Sequence, residues 1–132
     1  MYLAATLNVL GGVSALANPA GHFAQSHTSA PSLSDPLQAF YYRATWINVI
    51  AWGLGYFFAA RLVGARTPVL LAGATGKVAY FAACLSLYAS GRATGLLLGF
   101  GILDVMLAAF FVYVVWLEQS ERQREAARLI AV

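Results

Sequence analysis

Two side chains of opposite charge stand inside runs that are otherwise apolar: Lys77 in "AGATGKVAYF" (72–81) and Asp104 in "GILDVM" (101–106). Lys77 is the chain's only lysine, against seven arginines, so it is not one of a population of surface lysines. An amine and a carboxylate in a medium of low dielectric have two uses. Held together they neutralise each other and fix how their segments pack. Changing protonation in turn, they relay a proton or an ion, because burial shifts the pKa of each. The structural use is the first expectation and the relay the second. A site for a lipid, quinone or partner subunit is the third.

The depths of the two charges match. Gly91 lies in the short polar turn between their runs, fourteen residues after Lys77 and thirteen before Asp104. At a helical rise of about 1.5 Å per residue, both groups stand roughly 20 Å from that turn. Either charge alone at the centre of a membrane helix costs about 2.5 to 3.5 kcal/mol on the insertion scale. A Lys77–Asp104 salt bridge, or a neutral hydrogen-bonded pair, removes most of that cost. Asn8, Asn48, Tyr56 and Tyr80 are expected to face the same interior and complete a satisfied polar network. Gly73 and Gly76 beside Lys77, and Gly95, Gly99 and Gly101 before Asp104, are expected to let the helices approach closely, with Gly95 and Gly99 forming a GxxxG.

Other arrangements fail on chemistry. "GATGK" lacks the first glycine of a phosphate-binding loop, whose place is taken by Leu71, and Val78 stands where Ser or Thr is required. His22 and His27 are five apart, with Asp35 downstream, which does not put two imidazoles on one helical face; no metal site is expected. No histidine occurs in an apolar run, so bis-histidine haem ligation is not expected, and no cofactor is assigned. Cys84 is the one cysteine, has no histidine in sequence reach to activate it, and is expected to pack as a small apolar group. Ser86 and Ser90 lack a base, so no hydrolase constellation forms and no catalytic residue is assigned.

These groups must be positioned by helices. Of the 132 residues 61% are hydrophobic and 10% charged, whereas soluble domains carry about 25% charged residues. The composition is that of an integral membrane protein. Runs at 44–63, 68–89 and 94–117 are each long enough to cross about 30 Å of hydrocarbon. A shorter run at 2–17 holds Thr6 and Asn8. It is a marginal span or a signal peptide; "ALA" at 15–17 resembles a cleavage site, but no Lys or Arg precedes the run, so a retained helix is expected. Residues 18–43 hold three of the four prolines and most of the Ser, His and Gln, and are expected to form an extracytoplasmic loop. Pro68 fits a first helical turn.

The net charge of +3 is spread over the ends of apolar runs, so it reports topology rather than nucleic-acid binding. Arg61, Arg66, Arg122, Arg124 and Arg128 outweigh Arg43 and Arg92, which puts both termini in the cytoplasm. Tyr41, Tyr42 and Trp46 mark the outer boundary and Trp116 the inner one. The tail 118–132 keeps helical spacing, with Glu118 placed to meet Arg122, Glu121 to meet Arg124, and Glu125 to meet Arg128.

The succession "FYYRATWINVIAWGLGYFFAAR", "PVLLAGATGKVAYF" and "LDVMLAAFFVYVVWL" resembles a group of small uncharacterised bacterial inner-membrane proteins. In that group a GxGY near the inner end of one helix is followed by G-x-x-GK in the next and an aspartate before an aromatic-rich last helix. The resemblance implies a four-helix membrane protein and matches Gly53, Gly55, Tyr56, Gly73, Gly76, Lys77 and Asp104; it implies no activity. The expectation is therefore one all-α, up-down, four-helix transmembrane bundle over residues 1–132. Its expected role is accessory or structural, in the bilayer, as a homo-oligomer or in a larger membrane complex and without nucleic acid. The alternative is a small oligomeric transporter or proton-coupled carrier using Lys77 and Asp104. An enzyme ranks third, because the chain has no cluster of His, Asp or Glu near an interface.

Overall fold

Residues 1–29 and 33–130 are described in the computed structural model, and they form an all-α fold of five helices. These are α1 (Tyr2–Ala17), α2 (Pro19–Ser26), α3 (Pro36–Arg61), α4 (Val63–Ala89) and α5 (Gly95–Ile130). α4 and α5 are each long and apolar enough to cross a membrane. α1 and α2 meet the same criterion only as a pair bent by 112°. α3 has 26 residues but is diluted by Gln38, Arg43, Thr45 and Asn48 in its N-terminal half. Two spans, or three with the bent pair, are thus set by length and composition.

The segment 18–43 is not a loop throughout, and two local signals explain why. The side chain of Asn18 accepts a hydrogen bond from Gly21 N–H at 3.0 Å, and Pro19 follows it at the first helical position. Asp35 accepts from Leu37 N–H at 2.8 Å, with Pro36 in the same place. Each side chain satisfies a donor that the first turn leaves free, and each proline supplies a ready-made helical φ. Asn-Pro and Asp-Pro therefore start helices here rather than mark turns. Residues 30–32 of the expected loop lie outside the described residues. At the other connection, α4 begins at Val63 and not at the expected boundary, so Pro68 lies inside the helix, past its first turn.

The helices make two antiparallel pairs, α1 with α3 and α4 with α5, joined to each other through α3 and α4. Gly12 and Gly53 bring α1 against α3: a side chain on Gly12 would meet Ile50, and one on Gly53 would meet Val9 and the Ala5 carbonyl. The α4–α5 turn closes on Gly91, whose φ of +72° only glycine adopts without strain. Gly91 N–H donates to Tyr88 C=O and Arg92 N–H to Leu87 C=O, the paired bonds of a glycine-terminated helix end.

All four long helices meet at one core. Ala4 and Ala5 from α1, Tyr56 from α3, Leu70 and Ala74 from α4, and Ala108, Phe111 and Val115 from α5 are buried together. That core lies toward the N-terminus of α1, away from α2. At the opposite end α2 is fastened across the α4–α5 turn. Thr28 N–H donates to Arg92 C=O at 3.2 Å, Thr94 N–H to Ser26 C=O at 3.0 Å, and the Thr28 and Thr94 hydroxyls donate to the Gly91 and Gln25 carbonyls. Four hydrogen bonds hold the two helix pairs together at that end.

Candidate functional site

Lys77 lies on the face of α4 that meets α5, and Asp104 on the face of α5 that meets α4. Lys77 Nζ donates to Asp104 Oδ1, so helix packing supplies the common azimuth that spacing alone could not. The two ends differ in environment. The lysine side chain is 6% exposed and the aspartate 23%. Tyr56 is the third member: its ring is 5.8 Å from Nζ, in cation–π range, and it packs 5.0 Å from the ring of Phe111. Gly73, one turn before Lys77, is what admits that ring. A side chain at 73 would stand 2.5 Å from the Tyr56 hydroxyl.

The site is therefore smaller than the expected network. Asn48 is exposed, and its amide donates to Ala44 C=O at 2.9 Å on its own helix, the local alternative open to any short polar side chain. Asn8 is half-buried against Gly53 in the α1–α3 seam. Tyr80 is exposed and sits beside Cys84, in a groove between α3 and α4. The glycines divide in the same way. Gly73 and Gly101 pack inside the chain, the latter against Cys84 and Phe81. Gly76, Gly95 and Gly99 have nothing within 4 Å of an added side-chain carbon, so they do not bring helices of this chain together.

A second ion pair joins α4 and α5 nearer the core end. Arg66 Nη1 donates to Glu118 Oε1 at 2.5 Å, while its Nε donates to Ala59 C=O at 3.2 Å and Nη2 to Ala60 C=O at 3.4 Å. The guanidinium thus satisfies carbonyls that the C-terminus of α3 leaves without helical partners. Glu118 is turned inward to this pair rather than along the helix to Arg122. Burial, with the Arg66 guanidinium second, holds the Met1 amine below its ordinary value, which puts the chain's start in the same corner. Sequence spacing gave no signal for this pair, since its members are 52 residues apart on different helices.

The capped end carries the histidines. His22 lies 4.6 Å from the ring of Trp46 and Phe23 4.8 Å from that of Tyr42, whose hydroxyl donates to Ala15 C=O at 2.8 Å. His27 Nδ1 is 2.8 Å from Ser26 Oγ. Burial holds the His27 imidazole below its ordinary value. A charged pair under an aromatic ring and an arginine latch thus join α4 to α5, and a histidine–aromatic cap packs on the N-terminal half of α3. Comparison of the chain with protein-family models, with curated proteins and with solved structures finds no match.

Proposed function

We propose that the chain is a small integral membrane protein of accessory or structural type that acts by assembling with copies of itself or with a larger membrane complex. In this reading α1, α3, α4 and α5 cross a bacterial inner membrane as an up-down bundle with both termini in the cytoplasm. The observation that carries the assembly reading is the uncovered face of α5. Gly95 and Gly99 have open space beyond them, and Ile102, Met106 and Tyr113, all exposed, continue the same stripe. Bare glycine backbone in a membrane helix is a place for another helix to approach closely. The charges of the Lys77–Asp104 pair, by contrast, are already matched within the chain.

Self-association is tested by native mass spectrometry of the protein in nanodiscs, with Gly99→Leu as the variant. The expected result is an oligomer in the wild type that the variant loses while its helix content stays constant. A wild-type monomer that also copurifies with no larger subunit would refute the reading. Reporter fusions at each terminus test the orientation.

One observation favours the second reading, a proton-coupled carrier: Asp104 keeps about a quarter of its side chain exposed while its partner is sealed. A carboxylate open on one side has a route for a proton. In liposomes, flux abolished by Asp104→Asn supports this reading, and its absence from the wild type refutes it.

A further inference from the structure

At the end capped by α2 the two helix pairs part, and a groove of about 400 Å³ opens between α3 and α4. Phe23, Tyr42 and Trp46 form one wall, and Tyr80, Ala83 and Leu87 the other. The size lies within the range of small-molecule pockets, and the lining is chiefly apolar with few polar atoms. Flat rings make up most of its polar end, so a flat occupant suits it better than a branched one.

One polar atom of that end has a fixed character. Ser26 has a single hydroxyl proton, and its Oγ donates it to His22 C=O at 2.6 Å. At its contact with His27 Nδ1, Ser26 Oγ must therefore accept, which puts the ring proton on Nδ1. Burial keeps this imidazole neutral at pH 7, leaving Nε2 as a bare lone pair. His27 lines the groove, and Nε2 makes no hydrogen bond among the described residues. An occupant that pairs with this atom must bring a donor. A quinone or ester carbonyl, which can only accept, meets no complement at this atom.

We propose that the groove binds a membrane phenol, a flat hydroxyl-bearing aromatic ring on a hydrocarbon tail of the kind found in reduced quinones, with the phenol O–H donating to His27 Nε2. The ring lies between the aromatic wall and α4, and the tail leaves along the open side of the groove. Cys84, two turns beyond Lys77, also lines the groove. The site is independent of the Lys77–Asp104 pair and of the assembly reading.

The test uses the full chain in nanodiscs with Trp52→Phe and Trp116→Phe, so that Trp46 in the groove wall is the sole fluorophore. Decylhydroquinone held reduced under nitrogen, decylbenzoquinone, decanol and dioleoylglycerol are titrated at pH 7.5. Decylhydroquinone is expected to saturate and to bind about fivefold to tenfold more tightly than decylbenzoquinone, the worth of one hydrogen bond. His27→Phe is expected to abolish that preference. Ala83→Phe, which fills the groove from α4, is expected to abolish saturable binding altogether. Equal affinity for the quinone, equal or tighter binding of decanol or dioleoylglycerol, no saturable binding at all, or binding unchanged by Ala83→Phe would each overturn the proposal.

Discussion

Replacing the members of the Lys77–Asp104 pair one at a time should give unequal losses, and the inequality follows from their burial. Asp104→Leu strands an ammonium that is 6% exposed, with only the face of Tyr56 to receive it. The loss should match the breaking of a buried pair, about 3 to 5 kcal/mol. Lys77→Met strands a carboxylate that is 23% exposed, so it loses its partner but is less fully enclosed than the ammonium. That loss should be smaller, about 1 to 3 kcal/mol. The double variant removes both desolvated charges and should lie within about 1 to 2 kcal/mol of the wild type. The singles together then exceed the double by at least about 2 kcal/mol, which is the coupling between the two sites. Reversible unfolding in mixed detergent micelles, followed by far-UV circular dichroism, measures all four corners of the cycle. Additive losses would refute direct coupling. A larger loss for Lys77→Met than for Asp104→Leu would refute the assignment of the lysine as the more costly partner to strand.

Three further outcomes follow from the same geometry. Gly73→Ala should destabilise by about 1 to 3 kcal/mol, because the added carbon overlaps the buried Tyr56 ring, whereas Gly99→Ala should leave the isolated chain unaffected; the same unfolding assay separates them. Arg66→Met removes three hydrogen bonds and strands Glu118, so amides in the last turn of α3 should exchange faster, and this effect should change little with salt because the pair is mostly buried. The His27 imidazole is held below the 6.5 of a free one, so below that pH the unfolded chain binds more protons than the folded chain and stability falls with acidity. The protection factors of the Thr28 and Thr94 amides, the intrinsic exchange rate divided by the observed one at each pH, should fall from about pH 7 to about pH 5, and because burial holds the His22 imidazole low as well, a His22→Gln/His27→Gln double variant should lack this dependence.

Much of the candidate site was legible before any packing was known. Helix rise is a constant, so counting from Gly91 put Lys77 and Asp104 at one height, and their opposite charge made a meeting the favourable way to bury both. Tyr56 was one of four polar groups expected to face the same interior, and packing places its ring beside Lys77. Asn8 and Asn48 did not join them, because a residue's height is fixed by counting but its azimuth is fixed by which neighbour its helix selects. For Asn48 the helix's own carbonyl was nearer than any partner. The uncovered Gly95 and Gly99 make the same point: a GxxxG declares that a helix face is flat, not which chain will cover it.

The residues alone determined an all-α chain of apolar helices, the antiparallel order around the Gly91 turn, and the presence of one lysine and one aspartate at equal depth. Composition and rise per residue are properties of the covalent chain, which is why these could be read without a fold. The Asn18-Pro19 and Asp35-Pro36 caps were equally local, and with them the helices inside 18–43 were available from the sequence too. Only the tertiary structure decided that α1 seats on α3 and α4 on α5, that Arg66 reaches Glu118, that threonines clamp α2 across the α4–α5 turn, and that a histidine-roofed groove opens beneath it. Each joins residues distant along the chain. Such contacts depend on rotation about the helix axis and on which faces interdigitate, quantities that hydrophobic periodicity scarcely constrains when nearly every face of every helix is apolar.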